Sequence, residues 1–104
     1  MEPKRVIFHH TAAAINGAQF DKVNQWHKAK GFPLSSLSWY VGYHYFIERN
    51  GLTRQAREET EIGAHDQGEN VDSIGICLAG DFNTERPTEA QAAAAAAIPS
   101  NGFG

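Results

Sequence analysis

His9 and His10 stand side by side in "VIFHHTA", and His27, His44 and His65 are spread over the rest of the chain. An imidazole can ligate a metal, exchange protons near neutral pH, or serve as a buried hydrogen-bonding ring. Setting has to decide between these. Neighbours on an extended strand point to opposite faces, so His9 and His10 cannot easily share one ion. Ile7, His9 and Thr11 fall on one face, and Val6, Phe8 and His10 on the other. One histidine is expected to face a site while the other packs; two buried, hydrogen-bonded rings are the competing reading. His27 follows Trp26 on an amphipathic stretch, and His44 is opposite in facing to Tyr43 and Tyr45, so both are expected to be structural. His65 differs, because it lies in the glycine-rich polar loop "EETEIGAHDQGENVD", and loops on a rigid scaffold are where binding groups collect.

A catalytic zinc takes three protein ligands and leaves a fourth position for water. The chain has no His-Glu-x-x-His and no Cys-x-x-Cys motif, so spacing alone is weak evidence for zinc. Serine-nucleophile chemistry has less support still, since no Gly-x-Ser-x-Gly elbow is present. Cys77 is the only cysteine. It cannot form an internal disulfide, which fits synthesis in a reducing cytoplasm, and its apolar surroundings assign it to the core as a small hydrophobe.

These residues need elements to hold them. Val, Ile and Phe predict a strand over residues 5–11. Phe20, Val23, Trp26 and His27 recur at helical spacing, which predicts a helix over 19–30 stopped by Gly31 and Pro33. Residues 41–49 alternate as a strand and run into Asn50-Gly51, a hairpin signal, with the returning strand at 52–57. "SIGICLAGDF" reads as a central strand over 73–80, covered on both faces. Thr88, with Glu89 and Gln91, begins a last helix, followed by six alanines, Ala92 to Ala97. Alanine favours helix but specifies no packing. An exposed helix, the trace of a truncation, and residues of unassigned identity are three readings of that run.

With 104 residues and a net charge of −3, the chain is sized for one domain with a modest core. Scattered basic residues argue against a grip on nucleic acid or anionic lipid. No stretch has the length of a membrane span, and the apolar run before His9 is too short for a cleaved signal peptide.

Four segments, in order, carry a resemblance: "VIFHHTA", "VNQWHKAKGF", "VGYHYFIERNG" and "GAHDQGENVDSIGICLAGDF". Over about residues 5–91 the chain resembles the zinc-dependent N-acetylmuramoyl-L-alanine amidases of the phage T7 lysozyme and peptidoglycan-recognition-protein type. The last segment is the most specific, since it fixes many positions at once. The resemblance implies a single α/β domain over 1–104, with a mixed central sheet flanked by helices and an atypical alanine-rich end at 92–104. It implies hydrolysis of the amide between N-acetylmuramic acid and the L-alanine of the stem peptide in a groove that accepts peptidoglycan or a muropeptide. It makes His9 a zinc ligand, Tyr43 a catalytic group, and His65 and Asn70 substrate-binding residues. Cytoplasmic synthesis without a signal peptide, then action on the cell wall as a phage or bacterial endolysin, would follow.

The pattern breaks after the last helix. Two further zinc ligands of the family, a histidine in a Gly-His-Arg-type segment and a cysteine or aspartate near a Cys-Pro-Gly-type segment, match nothing before "NGFG". The expectation is therefore a C-terminally incomplete domain that holds zinc poorly. An amidase, and an inactive amidase-like module that binds peptidoglycan or a protein partner, are the two functions that remain.

Overall fold

The computed structural model describes residues 2–14 and 17–98. Ile15 and Asn16, in the loop after the first strand, and residues 99–104, with the "NGFG" end, lie outside the described residues. The order is β1 (Arg5–His10), α1 (Phe20–Ala29), β2 (Tyr45–Ile47), β3 (Thr53–Gln55), a 3-10 turn (Asn70–Asp72), β4 (Ser73–Leu78) and α2 (Glu89–Ala97). The four strands form one mixed sheet in the order β1-β4-β2-β3. β4 is parallel to both β1 and β2, and β2 is antiparallel to β3. The expected α/β class with a mixed sheet is what the chain adopts.

Every residue of β4 is buried, as a strand covered on both faces requires. Its alternation sorts the core into two clusters. Cys77 joins Phe20, Val23, Val41, Phe46, Ala56 and Ala79 on the α1 side. Ile74, Ile76 and Leu78 join Ile47, Val6, Tyr45, Phe82, Ala94 and Ala95 on the α2 side. The β2–β3 hairpin closes through Arg49, Asn50 and Gly51, with Glu48 N donating to Leu52 O at 2.9 Å. Gly51 has φ +88°, and a Cβ there would meet Ala90 at 3.0 Å, so the residue serves both the left-handed turn and the approach of α2.

The strand expected over 41–49 is only Tyr45–Ile47. Gly42 O accepts from Ala64 N at 3.0 Å and Gly42 N donates to His27 Nδ1 at 2.8 Å. The backbone at Gly42 is thus bonded to a loop and a helix side chain rather than to a strand, while His44 N still donates to Gly75 O of β4 at 2.8 Å. The strand expected over 5–11 ends at His10, because Ala12, at φ +57°, turns the chain so that its N–H reaches Gly80 O. The strand expected over 73–80 ends at Leu78, though Ala79 N still donates to Ile47 O at 2.9 Å before Gly80 turns at φ +138°. The returning strand expected at 52–57 is shortened to Thr53–Gln55.

α1 has no side-chain N-cap of its own. Glu48, at the end of β2, supplies the acceptor: its carboxylate takes Gln19 N at 2.8 and 3.1 Å and Phe20 N at 3.0 Å. A buried carboxylate thus satisfies the orphan N–H groups of a helix start and meets the positive end of its dipole. α2 does begin at Thr88, which forms a capping box with Gln91. The Gln91 side chain is fully buried and also donates to Ile47 O and Ala79 O. The alanine run is helical. Ala94 and Ala95 lie on the sheet, while Ala92, Ala93, Ala96 and Ala97 face outward.

Candidate active site

The imidazoles sort themselves by strand facing. His9 projects from β1 to the α1 side, where its ring lies 5.3 Å from Tyr43 and 5.1 Å from His65. His9 Nε2 is 3.0 Å from His65 Nδ1. His10 turns the other way, stacks on Phe82 at 5.3 Å, and accepts from Phe82 N through Nδ1. His9, Tyr43 and His65 therefore share one site, and His10 packs away from it.

The ring of His65 fits because β4 has a glycine beneath it. A Cβ at Gly75 would lie 2.5 Å from the His65 ring, closer than real contacts allow. Gly75 N donates to His44 Nδ1 at 3.1 Å, and His44 Nε2 bonds Glu61 O at 2.6 Å. His44 is fully buried, so it ties the 61–65 loop to the sheet, a structural role. His27 is also structural, holding Gly42 N, and its ring lies 5.4 Å from Tyr43. The loop itself is stapled by Asn70, whose side-chain oxygen accepts from His65 N at 3.0 Å and Asp66 N at 2.9 Å. Only its amide NH2 is left to meet a ligand.

Two cavities adjoin the cluster. One, of about 210 Å³, is lined by Thr11, Val23, Trp26, His27, Lys30 and Tyr43. The other, of about 400 Å³, is lined by Phe32, Ala64, His65, Asp66, Gly68 and Asn70, among others. His27 on the wall of the first and Phe32 on the wall of the second have ring centres 4.6 Å apart. Tyr43 lines the first and His65 the second.

Burial sets the electrostatics. It holds His27 and His65 down to about 4, with the His9 and His44 rings adding to the effect at His65. It lowers His9 and His44 as well. Burial, then the neighbouring Cys77 thiol, pushes the Tyr43 phenol above its ordinary value. Cys77 is itself pushed up to about 12, chiefly by burial. At neutral pH the site thus presents neutral imidazoles and a protonated phenol, a set that can donate hydrogen bonds and offer nitrogen lone pairs. Cys77 remains a protonated core thiol.

Among the described residues, no three His, Cys, Asp or Glu side chains converge as a metal site needs. His9 supplies one imidazole, and His65 Nδ1 is already bonded to it. The chain's own described residues do not complete a zinc site. Ser73 and Gly75, which hold and make room for His65, are residue types with no chemistry-bearing spacing of their own. Their signal was the "SIG" step of the last resembling segment.

Comparison with known proteins shows what the whole chain resembles. The model of the family described as N-acetylmuramoyl-L-alanine amidase matches residues 1–101. The endolysin of Escherichia phage T7 is 42% identical over 60 residues, 57% of this chain and 35% of its own length. Peptidoglycan-recognition protein SC2 of Drosophila melanogaster is 31% identical over 96 residues, 91% of this chain and 52% of its own. Among solved structures, the N-acetylmuramoyl-L-alanine amidase LysC from Clostridium intestinale URNW superposes with a TM-score of 0.74 at 31% identity, covering 89% of this chain and 57% of that one. The chain thus spans about half, or less, of the length of these relatives.

Proposed function

The chain belongs to the N-acetylmuramoyl-L-alanine amidase family, and from that premise we propose that its groove takes the stem-peptide end of peptidoglycan and serves hydrolysis of the lactyl–L-alanine amide. The observation that carries the reading is the meeting of His9, Tyr43 and His65, with Tyr43 and His65 each lining a cavity. In this reading Tyr43 keeps its proton and donates a hydrogen bond to the oxygen on which negative charge develops. The walls formed by Trp26, Phe32 and the 64–70 loop hold the glycan-peptide so that the amide lies against His9. Zinc, when bound, would polarise the amide carbonyl and supply hydroxide at neutral pH. His9 would be one of its ligands, and the others are not among the described residues. Action on the cell wall, as an endolysin, follows from the substrate.

That shortage of ligands favours a second reading, a module that binds peptidoglycan in the same groove without cleaving it. One experiment separates the two. The protein is incubated with purified cell walls, with zinc or with a strong chelator, and both wall-bound protein and released muropeptide are measured. Zinc-dependent release supports the amidase. Binding without release supports the module. Neither binding nor release rejects the groove as a peptidoglycan site.

A further inference from the structure

We infer that Ser73 is a positioning residue: through His65 it fixes which ring nitrogen of His9 carries the proton and which offers a lone pair. The inference rests on the reading of His9 as the imidazole that faces the substrate amide.

The proton count along one chain of hydrogen bonds forces the arrangement. Ser73 is fully buried at the start of β4, and its hydroxyl donates to Glu69 O at 2.5 Å. A carbonyl oxygen can only accept, and a hydroxyl has one proton. Toward His65 Nε2, 3.2 Å away, Ser73 Oγ is therefore an acceptor, so His65 carries its proton on Nε2. In the neutral ring Nδ1 is then the lone-pair nitrogen. His9 Nε2, 3.0 Å from it, must be the donor. The proton of His9 is thereby held on Nε2, and Nδ1, which has no protein partner among the described residues, is left with a free lone pair.

The other three histidines are set differently. His10, His27 and His44 each accept a backbone N–H through Nδ1, from Phe82, Gly42 and Gly75. Backbone amides fix those three tautomers directly. Among the described residues no backbone amide donates to a ring nitrogen of His9 or His65; the Ser73 hydroxyl is the partner of His65 Nε2, with the Ser73 backbone also acting on that ring. An imidazole so oriented by the bond on its other nitrogen is the arrangement that makes a ring a well-aimed ligand or acceptor.

The test reads the tautomers by long-range 15N–1H correlation on the uniformly labelled protein at neutral pH, without substrate or added metal. Wild type should show all five rings as Nε2–H. Ser73→Ala should raise the Nδ1–H population of His65 and His9 at least severalfold, while His10, His27 and His44 stay unchanged. Ser73→Thr, which keeps the hydroxyl, should restore the wild-type pattern. His9 found as Nδ1–H in wild type overturns the inference, as does Ser73→Ala leaving His9 and His65 untouched. Should Ser73→Ala unfold the chain, seen as collapse of the three backbone-held signatures, the wild-type and Ser73→Thr spectra still decide, because Nδ1–H at His65 in either overturns it. Neither arm uses cell walls, so failure to bind or cleave them is a separate result.

Discussion

On the α1 side of the sheet, His9, His44 and His65 are engaged ring to ring or ring to backbone, and Glu48 caps the helix with a buried carboxylate. On the α2 side, Ile74, Ile76 and Leu78 meet Val6, Ala94 and Ala95. The same strand, β4, serves both faces: Gly75 and Cys77 look one way, Ile74 and Ile76 the other. The first face is specified mainly by where particular donors and acceptors point, and the second mainly by volume and apolarity, with Gln91 and His10 as its directional contacts. Directional bonds tolerate little change, because a buried polar group left without its partner costs about 1–3 kcal/mol. Apolar contact between small side chains is far more forgiving.

Acid gives the largest separation between the two faces. An imidazole in the unfolded chain titrates near 6.5, and burial holds His27 and His65 at about 4. Above about pH 6.5 their rings are neutral in both states, and the α1 face keeps its full stability. As pH falls from there toward 4, the unfolded chain takes up protons that the folded chain refuses, so stability drops by a few kcal/mol in total. Urea unfolding at pH 7 and pH 4.5, followed by near-ultraviolet circular dichroism, should show that drop. Equal midpoints at the two pH values would remove the buried-imidazole account of this face.

Gly75→Val probes the same face by volume. Its side chain would enter the space of the His65 ring, and overpacking of this kind should destabilise the fold by about 3 kcal/mol while displacing the His9–His65 pair. The urea midpoint, read together with the His65 ring resonances, checks both effects. A variant as stable as wild type, with those resonances unmoved, would mean that the ring does not need the glycine. At the other extreme, Ala93→Lys on the outward side of α2 should change stability by less than about 0.5 kcal/mol. A larger loss in thermal or urea unfolding would show that the outward face of the alanine helix also contributes to its hold, beyond Gln91, Ala94 and Ala95.

The sequence made some of this legible and hid the rest for physical reasons. β1, α1, β4 and the Asn50-Gly51 turn are local patterns, so periodicity and turn chemistry disclose them. The facing of His9 against His10 follows from a strand's two-residue repeat, and the pair separates as that repeat requires. Thr88 and Gln91, three apart, announce the start of α2. By contrast, the segment 41–44 alternates like a strand, and nothing local reveals that its backbone is bonded to His27 and Ala64. Glu48 caps a helix that begins 28 residues earlier in the chain. Arg57, buried, donates to Val41 O at 2.9 Å and Pro33 O at 2.6 Å. Such partners exist only after the chain has folded. Asn70 shows the same limit at the site: its motif marks it, but its oxygen goes to staple the loop.

β1 pairs with β4 alone among the described strands, and the two histidines that meet across that boundary are 56 residues apart in the chain. Thr11 and Gly80, which close the same seam, are 69 apart. A ribosome delivers the amino end first, so β1, with Phe8 59% exposed even in the finished fold, waits without a hydrogen-bonding neighbour until Leu78 has emerged. Contacts of such long sequence separation are slow to form, because the loop must close before they reward it. The joining of His9 to His65 and the completion of the sheet are thus one late event in the birth of the chain, because both wait on the pairing of β1 with β4.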